Sequence, residues 1–127
     1  MTDHPEPKLA GKRVLLVEDS YLAATSIAQM LEDIGCRVVG PFANVDDAMG
    51  AMDAGGFDAG VLDVNLGKTT SEPVAENLMR LGVPFVFVTG YLSPALQNPR
   101  FAAYARVHKP LTEAMLADAL VASLDRE

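Results

Sequence analysis

Val14-Leu15-Leu16-Val17-Glu18-Asp19 is a run of four aliphatic residues that ends on two carboxylates. Unbroken apolar character, without alternation, is what a strand buried on both faces of a parallel sheet requires. The acidic pair then sits at the carboxyl end of that strand, the side on which open α/β sheets bind ligands. Outward from this stretch, short apolar runs alternate with longer segments of helical period, the pattern of βαβ units and an α/β fold.

The first helix is expected over about 22–34, with Leu22, Ile27, Met30, Leu31 and Ile34 on one stripe and Gly35 ending it. A second strand over 37–40 is expected to stop at Pro41, which has no N–H to give a ladder. Asn44 opens a second helix that Gly55 and Gly56 close, and a third strand over 58–62 leads into Asp63. After a loop through Thr70, Ser71 is a candidate cap for a third helix with an early Pro73, ending at Leu81-Gly82. Pro84 precedes a fourth strand over 85–88. Between Tyr91 and Ala105, Pro94, Asn98 and Pro99 leave room for only one or two helical turns, so a fourth helix is expected to be short or irregular. Arg106 to His108 form a fifth strand, and Thr112 caps a fifth helix carrying Met115, Leu116, Leu120 and Leu124. Five strands and five helices use up the chain, with no internal repeat or linker.

Composition agrees with one packed domain. Of 127 residues, 50% are hydrophobic and 21% charged, too apolar for a disordered segment. Ten Lys and Arg against 17 Asp and Glu give a net charge of −7, unsuited to phosphate-backbone contacts, so nucleic acid is not an expected partner. The one cysteine, Cys36, excludes an intramolecular disulfide and a multi-cysteine zinc site and fits a reducing cytoplasm. No apolar run approaches the roughly 20 residues of a membrane span. Residues 1–11, with Pro5 and Pro7, read as a disordered lead-in to a domain over 12–127. From Asn77 to Thr112 there is no acid, while Arg80, Arg100, Arg106 and Lys109 give +4, leaving −11 elsewhere. His4 and His108 have no partner at metal spacing.

The strand ends carry the chemistry. Glu18-Asp19, Asp63, Thr89-Gly90 and Lys109-Pro110 each follow a strand and are expected on one rim. Three converging carboxylates repel and call for a cation; a hard divalent ion such as Mg²⁺ suits oxygen ligands, and Lys109 and the Thr89 hydroxyl suit a phosphoryl group.

With these residues the chain resembles the receiver domains of bacterial two-component response regulators, from about Lys12 onward. The resemblance rests on Val14 to Asp19, Val61-Leu62-Asp63-Val64-Asn65-Leu66, Thr89-Gly90 and Lys109-Pro110, with Asp63 following 44 residues after Asp19. It implies a doubly wound, flavodoxin-like five-stranded parallel sheet in the order 2-1-3-4-5. It also implies that Asp63 is the phosphoacceptor, that Glu18, Asp19, Asp63 and the backbone carbonyl of Asn65 hold Mg²⁺, and that Thr89 is the switch hydroxyl. Lys109 would pair with the phosphoryl group through a cis Lys109–Pro110 bond. The donor implied is a sensor histidine kinase or phosphotransfer protein, and the protein would catalyse its own phosphorylation and dephosphorylation. Output would be a contact with a downstream protein, or service as a phosphate relay or sink.

Pro84-Phe85-Val86-Phe87-Val88-Thr89-Gly90-Tyr91 further resembles the FATGUY subset of receivers, often single-domain regulators served by HWE-type kinases. Two departures stand out. Arg106 occupies the place three residues before the lysine where most receivers have an aromatic, which leaves Tyr91 or Tyr104 as candidate substitutes. Gly90 opens the space beside the switch threonine. Alternatives weighed on the same residues are an aspartyl-phosphate phosphatase, which would need an acid where Asn65 stands, and a degenerate receiver used for docking.

Overall fold

The computed structural model describes residues 6–90 and 98–125. Five parallel strands, β1 (Arg13–Val17), β2 (Arg37–Phe42), β3 (Ala59–Asp63), β6 (Phe85–Thr89) and β7 (Arg106–His108), pair in the order β2-β1-β3-β6-β7. Two short strands, β4 (Asn65–Leu66) and β5 (Thr69–Thr70), form an antiparallel hairpin just past Asp63. Helices α1 (Tyr21–Ile34), α2 (Val45–Ala54), α3 (Glu72–Leu81) and α4 (Glu113–Asp125) flank the sheet. The order is that of the flavodoxin-like fold expected above.

Three of the described helices begin at a side-chain cap that the sequence supplies. Ser20 Oγ accepts from the Ala23 N–H at 3.4 Å, Asn44 Oδ1 from the Asp47 N–H at 2.8 Å, and Thr112 Oγ1 from the Met115 N–H at 3.1 Å. Gly35 closes α1 in the left-handed region at φ 111°. The buried stripe of α1 is Ala24, Ile27, Leu31 and Ile34, and that of α4 is Leu116, Leu120 and Ser123. Each fully buried Leu or Ile contributes roughly 1.5–3 kcal/mol.

Five details differ from the sequence reading. Leu22 is 80% exposed, because the i, i+3, i+4 rows through Ile27 and Leu31 reach Ala24 and not position 22. Met115, likewise off the α4 stripe, is 40% exposed. Strand β2 runs through Pro41 to Phe42, which an edge strand permits, with a register shift between Leu15 and Val17 on β1 and a cis Gly40–Pro41 bond. Ser71 makes no side-chain cap; the Glu72 N–H is taken instead by Thr70 Oγ1 at 3.3 Å. The short or irregular fourth helix expected between Tyr91 and Ala105 corresponds, among the described residues, to a single 3-10 turn, Pro99–Phe101, and residues 91–97 lie outside the described residues. Finally, residues 6–11, read as lead-in, are folded onto the domain, whereas residues 1–5 lie outside the described residues. A 3-10 turn, Pro7–Leu9, buries Leu9 completely, and the Glu6 and Gly11 N–H groups donate to the Ile34 and Gly35 carbonyls at 2.9 and 2.8 Å. Leu9 is the apolar residue in that stretch that justifies the docking.

Candidate functional site

Sheet pairing brings the predicted rim together. β1 and β3 are neighbours with Val17 opposite Leu62, so Glu18 and Asp63 leave adjacent strands side by side. The Glu18 N–H donates to the Phe42 carbonyl at 2.9 Å, so the irregular end of β2 fixes where the acidic pair starts. Glu18 is 2% exposed and Asp63 7%, while Asp19 is exposed. One carboxylate oxygen from each of the three lies within 4.8 Å of the others.

Lys109 reaches over from the end of β7. Its Nζ is 2.8 Å from Glu18 Oε1 and 3.8 Å from Asp63 Oδ2, and its backbone N–H donates to the Thr89 carbonyl at 2.8 Å. The Lys109–Pro110 bond is cis. Thr89 ends β6, 1% exposed and outside the lining of the recess, and Gly90 next to it lines the recess beside Lys109. The recess, about 320 Å³, is bounded by Glu18, Asp19, Asp63, Asn65, Gly90 and Lys109, with Ser20 and Gly67 completing it.

Ser20 and Gly67 had not been picked out from the sequence. Ser20 closes the floor as the α1 cap, its N–H donating to Glu18 Oε2 at 3.1 Å. Gly67, at φ 70°, turns the β4–β5 hairpin, and a Cβ there would sit 3.8 Å from Asp19 Oδ2. The signal was present, since Gly67-Lys68 between Leu66 and Thr69 is a glycine-led two-residue hairpin turn. Of the other residues singled out, Arg106 lies away from the recess on β7, opposite Phe87, and Tyr104 stacks on Phe85 at 4.3 Å. Tyr91 lies outside the described residues.

The electrostatics identify what the recess lacks. Burial, the hydrogen bond and charge of Glu18, and Asp19 together push the Asp63 carboxyl up to about 8, with Lys109 opposing them. Burial works against the charge on Lys109, but its hydrogen bond to Glu18 and the neighbouring carboxylates more than offset this and hold its pKa above the ordinary value. Three acids facing one lysine therefore retain a proton that an added cation would displace. That donor set, all oxygen and partly buried, fits a hard divalent ion. Cys36 offers no rival nucleophile, since burial pushes its thiol up to about 11.

Comparison with known proteins places the chain in a family. The family described as the response regulator receiver domain matches residues 14–121. Among solved structures, SdrG from Sphingomonas melonis Fr1 is 38% identical, over 90% of this chain and 97% of that one, with a TM-score of 0.77. A CheY-like receiver domain protein from Methanospirillum hungatei JF-1 is 25% identical over 92% of this chain and 96% of its own, with a TM-score of 0.79. The response regulator PhyR from Brucella abortus, also 25% identical, aligns over 93% of this chain but only 49% of its own, with a TM-score of 0.80. No curated protein sequence matches significantly.

Proposed function

Because the chain belongs to the response regulator receiver domain family, we propose that it is a phosphorylation-dependent switch in which Asp63 accepts a phosphoryl group from the phosphohistidine of a sensor kinase or phosphotransfer protein. The observation that carries this reading is the placement of a buried Asp63 carboxylate 3.8 Å from Lys109 Nζ within the three-acid cluster. An Asp63 oxygen attacks phosphorus in line. The P–N bond breaks, its electron pair stays on the imidazole, and that nitrogen takes up a proton.

The transition state is loose and carries its charge on the equatorial oxygens, so the protein's task is placement and neutralisation. Lys109 is held beside Asp63 by Glu18 and by its own backbone bond to Thr89, ready to meet one of those oxygens. The Thr89 hydroxyl is the donor for another. Glu18, Asp19, Asp63 and the Asn65 carbonyl would hold Mg²⁺, which supplies the positive charge the acid cluster lacks. Gly90 leaves the mouth open to water, so the aspartyl phosphate is also a substrate for self-catalysed hydrolysis.

The Phe85-to-Tyr91 signature supports membership of the FATGUY subset, and with it an HWE-type kinase as donor and a single-domain mode of output. No described helix is long and apolar enough to cross a membrane, and the single buried cysteine fits a cytoplasmic setting. The test is intact mass after incubation with acetyl phosphate and Mg²⁺. One phosphoryl group is expected on the wild type and none on Asp63→Asn; equal labelling of both would refute the assignment.

A further inference from the structure

Residues 98–104, which lead into β7, are held on three sides. From α3, Glu72 Oε1 accepts from Asn98 Nδ2 at 3.3 Å, and Glu76 Oε2 pairs with Arg100 Nη1 at 3.1 Å. From β6, Phe87 meets the ring of Phe101 edge-on at 5.4 Å, and Phe85 stacks on Tyr104 at 4.3 Å. From β7, Arg106 Nη2 donates to the Phe101 carbonyl at 3.3 Å, and that same oxygen accepts the Tyr104 N–H at 3.1 Å. Phe101 is wholly buried and Arg106 half-buried.

These contacts share one strand face. Side chains alternate along a strand, so Phe85, Phe87 and Thr89 project to the same side of β6. Arg106 is the direct neighbour of Phe87 on β7. Phe87 and Thr89, each 1% exposed, are close-packed, so a displacement of Thr89 is passed on to Phe87. The aromatic contacts are broad, whereas the bond from Arg106 Nη2 to the Phe101 carbonyl is directional and is made or lost over a small movement.

We propose that Arg106 is a positioning residue: its bond to the Phe101 carbonyl latches residues 98–104 onto β6, and the phosphorylated site releases that latch through Thr89 and Phe87. This rests on the reading of Asp63 as phosphoacceptor. The basic residue standing on β7 thereby acquires a role. It holds the turn closed until the pocket fills, and the segment it frees carries Phe101 and Arg100 as the surface offered to a downstream protein.

The test is amide exchange at Phe101, Ala102 and Tyr104, whose N–H groups donate to Asn98, Pro99 and Phe101 carbonyls. The full chain is measured with Mg²⁺ alone and with Mg²⁺ plus beryllofluoride, and bound fluoride is followed by its ¹⁹F resonance. In the wild type, beryllofluoride should speed these amides about tenfold, the scale on which one charge-assisted hydrogen bond acts. Arg106→Gln should exchange fast from the start and gain nothing further, Arg106→Lys should restore part of both the slow exchange and the response, and Thr89→Ala should bind beryllofluoride without release. Unchanged or slower exchange in wild type with fluoride bound would overturn the latch, as would a full response in Arg106→Gln. Absence of any bound ¹⁹F signal in wild type would instead remove Asp63 as acceptor, and the latch with it.

Discussion

The two faces of the sheet are built from different materials. Toward α1 and α4 the core is aliphatic, with Val14, Leu16, Val61, Val86 and Val88 from the strands meeting Ile27, Leu31, Leu116 and Leu120. Toward α2 and α3 lie all five phenylalanines of the chain: Phe57, Phe85, Phe87 and Phe101 in the core and Phe42 against it. The aliphatic face has two long regular helices, and side chains of similar size suffice to fill it. The other face has two ten-residue helices and, among the described residues, the 3-10 turn Pro99–Phe101, with the phenylalanine rings packed among them. Regular backbone is thus found where the packing is uniform. The strand that ends beside the acidic recess, β6, sends its aromatic side to that second face.

The sharpest way to break this contrast is to empty each face in turn. Phe87→Ala should cost about 3–5 kcal/mol and Leu31→Ala about 2–5 kcal/mol in denaturant unfolding. Only Phe87→Ala should also blunt the spectral response of residues 98–104 to beryllofluoride. A loss of stability under about 1 kcal/mol for Phe87→Ala would mean that the aromatic face is not packed as described.

The rim joining the two faces carries a pH signature. In the metal-free protein Asp63 holds its proton up to about pH 8, whereas in the unfolded chain the carboxyl ionises near its ordinary 3.8. The native state thus binds the extra proton between those values, and stability falls as pH rises through that window. Asp63→Asn should accordingly raise the melting temperature of the metal-free protein by several degrees at pH 7.5 and leave it nearly unchanged at pH 4. Mg²⁺ should stabilise the wild type more than the variant at the higher pH. A wild-type melting temperature that rises from pH 4 to 8 without metal contradicts the acid cluster as described.

Smaller effects refine the picture. A Cβ on Gly60 would fall 2.9 Å from Leu78 Cδ1 and 3.2 Å from Phe85 Cβ, so Gly60→Ala should overpack the aromatic face by about 1–3 kcal/mol in chemical unfolding. Smallest is the pair that ties the N-terminal turn to α4 on the aliphatic side, Lys8 Nζ to Asp125 Oδ2 at 3.2 Å. Both side chains are more than half exposed, so Asp125→Asn should lower stability by under about 1 kcal/mol.

What the sequence disclosed follows the same division. The buried strands and the chemistry at their ends were readable, because an unbroken apolar run followed by a carboxylate is a local pattern, and parallel pairing of such runs brings their ends to one rim. Helix caps at Asn44, Thr112, Gly35 and Gly82 were equally local. Leu22 was placed on the wrong side of α1 because its hydrophobicity, and not its angular position, decided the reading. The passage of β2 through Pro41 depended on that strand's being at the sheet edge, which is a property of the tertiary order. Leu9 in the N-terminal turn and the contact between Arg106 and Phe101 are long-range pairings with no periodic signal, so composition alone read the first as lead-in and left the second without a partner.

The central claim is that Asp63, among three neighbouring carboxylates, forms the acyl phosphate. Borohydride reduces an acyl phosphate to an alcohol, so protein treated with acetyl phosphate and Mg²⁺, reduced, digested and sequenced by mass spectrometry, should carry homoserine at position 63 and intact carboxylates at 18 and 19. Conversion at Glu18 or Asp19, or no conversion in protein that has gained the phosphoryl mass, would contradict it.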